Sequence, residues 1–136
     1  VGIETCPEFI AGSHDWGRWF LPRKFSGVDY DHADAVLESV PDIDNNRADY
    51  DIRSWSLEPG DAIAFHFLTI PGAPSNLSAT HRRRGFAARW LGDDTVYAAR
   101  SGETSPPFPG LEQRLNPGDA LIAEEFPLVF TGPTDN

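Results

Sequence analysis

The residues best suited to chemistry are a His-x-Asp pair, His32-Ala33-Asp34, and a second histidine, His66, in the segment AIAFHFLTIPGAPSN. On an extended strand, residues two apart point to the same face, so His32 and Asp34 could supply two ligands of a two-histidine, one-carboxylate iron site. The pair lies in an acidic, turn-rich loop, which is a poor support for ligand geometry. His66 lies in the middle of a strongly apolar predicted strand, where it could coordinate a metal, but we favour a core role with both ring nitrogens satisfied inside a β-sheet.

Three consecutive arginines, Arg82 to Arg84, form the only dense positive charge in an acidic chain. A guanidinium binds a carboxylate through two parallel hydrogen bonds, so one of them could hold an anionic ligand. The alternative is a set of surface salt bridges to Asp93, Asp94 or the acidic loop, and such pairs contribute little stability. The sequence leaves both interpretations open.

The elements that must position these residues are short strands separated by Gly/Pro turns. Residues 1–12 alternate apolar and polar and end in a Gly-Ser turn, and residues 52–70 form the pattern strand, Pro-Gly-Asp turn, strand. A further strand is predicted over 82–93, and a second Pro-Gly-Asp turn precedes the apolar run after Asp119. With twelve glycines and twelve prolines, the pattern predicts an all-β sandwich or barrel.

The length of 136 residues fits a single domain spanning 1–136. No apolar run approaches the roughly 18 residues that span a bilayer, and one cysteine cannot form an internal disulfide, so we expect no membrane contact and a cytoplasmic location. A net charge of −10 disfavours nucleic acid as a partner. The chain starts at Val1 and contains no methionine, and the sequence leaves open whether it is a fragment or a full product.

Several reaction classes lack their sequence signatures. The chain has no Gly-rich phosphate loop, no nucleophile elbow and no thiolate pair, so phosphoryl transfer, serine hydrolysis and dithiol redox chemistry have no support. Ligand binding and oxygen chemistry remain.

Four segments, in order, resemble the C-terminal half of bacterial members of the phytanoyl-CoA dioxygenase family: CPEFIAGSHDWGRWF, LEPGDAIAFHFLTIPGAPSN, RRRGFAARWLGDD and LNPGDALIAEEFPLVF. These proteins are Fe(II)- and 2-oxoglutarate-dependent oxygenases on a double-stranded β-helix, a jelly-roll or cupin-like barrel. The resemblance therefore implies a double-stranded β-helix, which could be incomplete in this chain. It also implies Fe(II) and 2-oxoglutarate as cofactors and a small molecule as substrate.

The resemblance also implies where the site residues fall. The arginine that binds the co-substrate carboxylate falls on Arg83, with Arg82 the next choice, and the family asparagine falls on Asn76. The distal iron-binding histidine falls on Pro71, which cannot coordinate a metal. The family His-x-Asp pair would precede Val1, so none of the three protein ligands of iron can be assigned, and we assign no catalytic residue.

Our leading hypothesis is a phytanoyl-CoA dioxygenase-like domain, related to hydroxylases of small or lipid-like substrates, with an incomplete iron site. Three explanations for the missing ligands compete: a fragment of an inactive relative, a barrel completed by another copy, and a remnant that only binds a ligand. The alternative function is a non-catalytic module for anionic ligands or assembly, and unpaired strand edges predict a homo-oligomer. A third hypothesis moves the metal to His32, Asp34 and His66 or His81.

Overall fold

The computed structural model describes residues 1–21, 37–99, 106–121 and 124–132. These residues form two compact units. Unit 1 contains the described residues 1–21 and 37–87, and unit 2 contains those from 88 onward. The prediction of a single domain over 1–136 stays a prediction.

Unit 1 is built on a three-stranded antiparallel sheet. Its strands are β1 (Glu8–Ile10), β2 (Ile52–Ser54) and β3 (Pro71–Gly72), in the order β2-β1-β3. Phe9 at the centre of β1 lies opposite Arg53 on β2 and Pro71 on β3. Directly opposed residues share a face of a sheet, so these three side chains lie on the same side.

The buried core of unit 1 is small and lies around β1. Cys6, Phe9 and Ile10 are buried, as is the hydroxyl residue Ser13. The ring of Phe9 packs between Phe65, at 4.6 Å, and Trp55, at 6.3 Å between ring centroids. Aromatic contacts at these separations add to the free energy gained by burying the rings.

Three short 3₁₀ helices complete unit 1: Ile3–Thr5, Ser13–Asp15 and Arg47–Asp49. The last is tied to the sheet by a bidentate ion pair, in which Arg47 Nη1 and Nη2 donate to the two carboxylate oxygens of Glu8 at 3.0 and 2.8 Å. The hydrogen bond to Glu8 raises the pKa of Arg47 above its ordinary value. The pair therefore connects β1 with the segment that leads into β2.

Unit 2 contains the 3₁₀ helix Leu111–Gln113 and a single antiparallel bridge between Val96 and Ala120. Among its described residues, Leu111 is the buried hydrophobic one. The rings of Phe108 and Phe126 pack at a tilt of 47°, with their centroids 5.1 Å apart. An ion pair joins Arg114 to Glu125.

The described residues contain no α-helix, in agreement with the all-β prediction, and they include no helix long and apolar enough to cross a membrane. Two predicted strands are wrong. Residues 62–70 and 82–93 lack regular structure, and the arms of the 52–70 hairpin do not pair, because β2 pairs with β1 instead. The alternation of apolar and polar side chains is a property of one segment by itself. A strand forms only where a neighbouring segment pairs with its backbone N–H and C=O groups.

Candidate functional site

The N-terminal segment positions the residues of the candidate site. After β1 the chain turns at Gly12, and the hydroxyl of Ser13, only 2% exposed, donates to the carbonyl oxygen of Ile10 at 2.8 Å. The hydroxyl oxygen of Ser13 in turn accepts a hydrogen bond from the amide of Ile70 at 2.9 Å. Ile10 N also donates to Ile70 O at 3.1 Å. The Gly-Ser-His turn is thereby fixed to the residue that precedes Pro71.

Pro71, the position that the resemblance matches to an iron-binding histidine, is an exposed residue of the edge strand β3. Proline has no backbone N–H, so it is accommodated at a sheet edge, where one side of the strand has no ladder to join. Its ring also offers no donor atom for a metal. The backbone at this position is held by strand pairing with Phe9, and only the side chain lacks coordinating chemistry.

Arg83 is anchored by two backbone carbonyl groups that are far apart in sequence. Its Nη1 donates to Thr5 O at 2.7 Å and to Pro74 O at 3.4 Å. In the part of the chain that the structure describes, its hydrogen bonds use Nη1 alone. The edge formed by Nε and Nη2 can therefore bind a carboxylate with two parallel hydrogen bonds.

The salt bridges of the neighbouring arginines that the alternative interpretation predicts stay a prediction. Among the described residues of unit 1, no ion pair joins Arg82, Arg83 or Arg84 to an acidic side chain. The acidic loop lies partly outside the described residues. The cluster is therefore a positive group on an acidic chain, and Arg83 is its member with defined backbone anchors.

Asn76 closes the loop that leads to the arginines. Its side-chain Nδ2 donates to His81 O at 2.9 Å, and its Oδ1 accepts from Ser78 N at 3.1 Å. The amide of His81 in turn donates to Ser78 Oγ at 2.9 Å. Both ends of the Asn76 amide group thus hold the backbone of residues 76–81.

His66 is exposed in a turn, and the prediction of a core histidine within a strand is wrong. The segment around it has no sheet partner among the described residues, so no core forms over the imidazole. Its Nδ1 accepts a hydrogen bond from Leu68 N at 3.2 Å. Its ring lies 5.4 Å from that of His14 and 4.7 Å from that of Phe67.

These contacts argue against His66 as a metal ligand. A metal-bound imidazole normally donates its second ring N–H to a neighbouring acceptor, whereas Nδ1 of His66 accepts, which leaves the proton of the neutral ring on Nε2. Within the described ranges, no group of three His, Cys, Asp or Glu side chains could hold a metal ion. The other two candidate ligands, His32 and Asp34, lie outside the described residues.

Sequence reasoning missed three positions of this network: Ser13, Thr5 and Pro74. Ser13 was included in a recognised turn, but its hydroxyl carries no signal of a partner 57 residues away. Thr5 and Pro74 act through carbonyl oxygens, which every residue type has. Only the folded chain identifies them.

Unit 1 thus combines an antiparallel sheet, an arginine held by backbone carbonyl groups and a loop closed by an asparagine side chain. Comparisons with known proteins identify the family. The family model of phytanoyl-CoA dioxygenase (PhyH) matches residues 4–85, well over half of the chain. The chain belongs to the phytanoyl-CoA dioxygenase family. The match includes Ser13, Pro71, Asn76 and Arg83. Comparisons with curated proteins and with solved structures gave no match.

The family is generally Fe(II)- and 2-oxoglutarate-dependent and has a cupin-like fold. Two of the four segments that carried the resemblance, RRRGFAARWLGDD and LNPGDALIAEEFPLVF, lie mostly or wholly beyond residue 85. The family assignment therefore rests on the part of the chain that contains the three-stranded sheet and the loop up to the arginines.

Proposed function

We propose that this chain is a phytanoyl-CoA dioxygenase-like domain that binds the carboxylate of 2-oxoglutarate through Arg83 and has an incomplete iron site at Pro71. The observation that supports the proposal is that the guanidinium of Arg83 is held by two backbone carbonyl groups, while proline occupies position 71, where the family has an iron ligand. The relation to hydroxylases of small or lipid-like substrates follows from the family, and the substrate is a small molecule rather than nucleic acid or membrane.

The finer fold is part of the same proposal. The chain corresponds to the C-terminal portion of the family domain, on a double-stranded β-helix of the jelly-roll or cupin type. The Gly-Ser-His turn, the Pro-Gly-Asp turn and the segment from Gly72 to Asn76 follow one another in the family order. The antiparallel sheet of unit 1 is compatible with one wall of such a barrel.

Arg83 would supply binding and orientation. With Nη1 held by Thr5 O and Pro74 O, the guanidinium plane loses little further freedom when its Nε and Nη2 edge meets a carboxylate. Charge-assisted, two-point binding is stronger than a single neutral hydrogen bond. Arg82 is the alternative binder, and Asn76 holds the loop that presents both.

The described residues do not fit iron. Pro71 has no coordinating atom, and the Nδ1 of His66 accepts a backbone hydrogen bond. In the family, iron supplies the oxygen activation, which needs ligands fixed around open coordination positions. We therefore assign this chain no step that depends on iron, and the proposal is one of co-substrate recognition.

Isothermal titration with 2-oxoglutarate tests the arginine. We expect Arg83→Ala to weaken binding by at least about tenfold, since bonds to charged groups contribute roughly 1.5–3 kcal/mol. Arg84→Ala is the matched control and should bind as the unmodified protein does. A loss in Arg82→Ala with Arg83→Ala unaffected would move the role to Arg82.

A turnover assay tests the incomplete iron site. With Fe(II), 2-oxoglutarate and ascorbate added, we expect no succinate above the level without protein. Robust succinate formation would refute the proposal. Stoichiometric iron in the purified protein that disappears in His32→Ala would favour the alternative site at His32, Asp34 and His66.

A second candidate function, assembly through a second copy of the chain, is favoured by exposed aromatic and aliphatic side chains. In unit 1, Phe86 is 95% exposed and Leu77 is 90% exposed. The sheet ends on the short edge strands β2 and β3, and such edges can pair with another copy. A stable monomer in light scattering at micromolar concentration would contradict the homo-oligomer.

A further inference from the structure

We propose that Ser13 is a positioning residue that sets the geometry of the carboxylate-binding edge of Arg83. This inference rests on the proposed function, since it names a residue that acts on the same site without touching the ligand. It starts from the one buried polar side chain among the described residues.

The hydroxyl of Ser13 makes two hydrogen bonds and is buried from water. It donates to Ile10 O at 2.8 Å and accepts from Ile70 N at 2.9 Å, with 2% of the residue exposed. A buried hydroxyl that serves as donor and acceptor at once fixes both partners, because loss of either bond leaves a buried polar group unsatisfied. Ser13 therefore locks the end of β1 to the start of β3.

The position of β3 determines where Pro74 lies. β3 ends at Gly72, two residues before Pro74, whose carbonyl oxygen accepts from Arg83. The second anchor, Thr5 O, precedes β1 by a few residues. The two anchors of the guanidinium thus belong to segments whose relative position is set by the pairing of β1 with β3.

A shift between β1 and β3 would separate the two anchors. The pairing consists of only two residue pairs, Glu8 with Gly72 and Phe9 with Pro71. So short a ladder fixes its register weakly. Beyond it, Ile10 N donates to Ile70 O at 3.1 Å, and the side-chain bridge through Ser13 adds two further hydrogen bonds between the same residues. Without the bridge, we expect β1 and β3 to be held less firmly, so that Nη1 of Arg83 holds the two carbonyl oxygens less firmly and its free edge is less well oriented.

The ligand test compares Ser13→Ala with a matched destabilised variant, with 2-oxoglutarate as the titrant. Ile10→Val shortens a buried side chain of the same strand but keeps every backbone bond. We expect Ser13→Ala, which removes both hydrogen bonds of the hydroxyl, to weaken 2-oxoglutarate binding about tenfold, and Ile10→Val to leave it within about twofold. Equal losses in both variants would overturn the inference.

A double-mutant cycle in urea unfolding tests the coupling without a ligand. We expect the effects of Ser13→Ala and Arg83→Ala on the free energy of unfolding to be non-additive, as for residues of one network. Additive effects would overturn the inference. If Ser13→Ala does not fold, Ser13→Cys, with its weaker S–H donor, replaces it in both tests.

The two proposals fail differently. If the unmodified protein does not bind 2-oxoglutarate, the proposed function is wrong, while the unfolding cycle still tests the link between Ser13 and Arg83. If the protein binds and Ser13→Ala binds equally well, the positioning role is wrong and the function stands.

Discussion

The two Pro-Gly-Asp turns of the molecule have the same local structure but different surroundings. In each, the aspartate amide donates to the carbonyl oxygen of the first turn residue: Asp61 to Glu58 at 3.1 Å, and Asp119 to Asn116 at 2.9 Å. The aspartate carboxylate accepts from the amide of that same residue at 2.9 and 2.7 Å. The φ angles of the central glycines are +103° and +94°.

The surroundings of the turns differ in long-range pairing. In unit 2, Gly118 N donates to Tyr97 O at 2.8 Å and Tyr97 N donates to Asp119 O at 2.7 Å, beside the bridge of Val96 with Ala120. In unit 1, the hydrogen bonds found for residues 58–61 in the described part of the chain stay within the turn. The comparison shows that local sequence sets the turn, whereas pairing depends on a partner segment.

The largest effect is expected from valine at the glycine of each turn. A β-branched residue in the left-handed region costs about 1–3 kcal/mol, so Gly60→Val and Gly118→Val should both destabilise the protein in urea unfolding. Gly118→Val should also abolish hydrogen-exchange protection of the Tyr97 amide, since that bond depends on the turn. Tyr97 protection that survives Gly118→Val would contradict the difference between the turns.

A smaller, nearly equal effect is expected from the two aspartates. Asp61→Ala and Asp119→Ala each remove one side-chain hydrogen bond to a backbone amide, so each should cost about 1 kcal/mol in urea unfolding. Asp119→Ala also removes the bond from Asn116 Nδ2 at 3.3 Å and should cost slightly more. The asparagine variants keep an oxygen acceptor and should lose less. If Asp119→Ala lowered the free energy of unfolding several times more than Asp61→Ala, the Asp119 carboxylate would support the bridge between Val96 and Ala120 as well as the turn.

The smallest effect is expected from acid titration of one ion pair in each unit. The hydrogen bond from Arg18 lowers the pKa of Glu38, and that from Arg114 lowers the pKa of Glu125. A depressed folded-state pKa gives stability that is present above the unfolded-state pKa and is lost as pH falls through the folded-state value. Glu38→Gln and Glu125→Gln should therefore flatten the decline in stability below about pH 4.5.

This last effect is small because both pairs are exposed, and water and salt screen them. Glu112→Gln, which removes a carboxylate without an ion pair among the described residues, is the charge-matched control. Raising the salt concentration should reduce the difference between the paired variants and this control. A salt-independent difference would contradict the screened-pair explanation.

Much of the local structure was predictable. The turn at Gly12, both Pro-Gly-Asp turns and the strand within residues 1–12 are confirmed, and so is the family. The strands over 62–70 and 82–93 were wrong, since alternation cannot reveal whether a neighbour exists. The assignments of Arg83, Asn76 and Arg82 to the co-substrate stay predictions, although the structure gives Arg83 and Asn76 defined hydrogen-bond partners.

The sequence by itself determined the turns and the membership of the phytanoyl-CoA dioxygenase family, because proline and glycine restrict φ within the residues that carry them and family motifs are contiguous. It also determined that position 71 has no metal-coordinating atom. Only the tertiary structure decided that Ser13 joins Ile10 to Ile70 and that Arg83 joins Thr5 to Pro74. These bonds depend on segments up to 78 residues apart in sequence meeting in space, and no local preference specifies that.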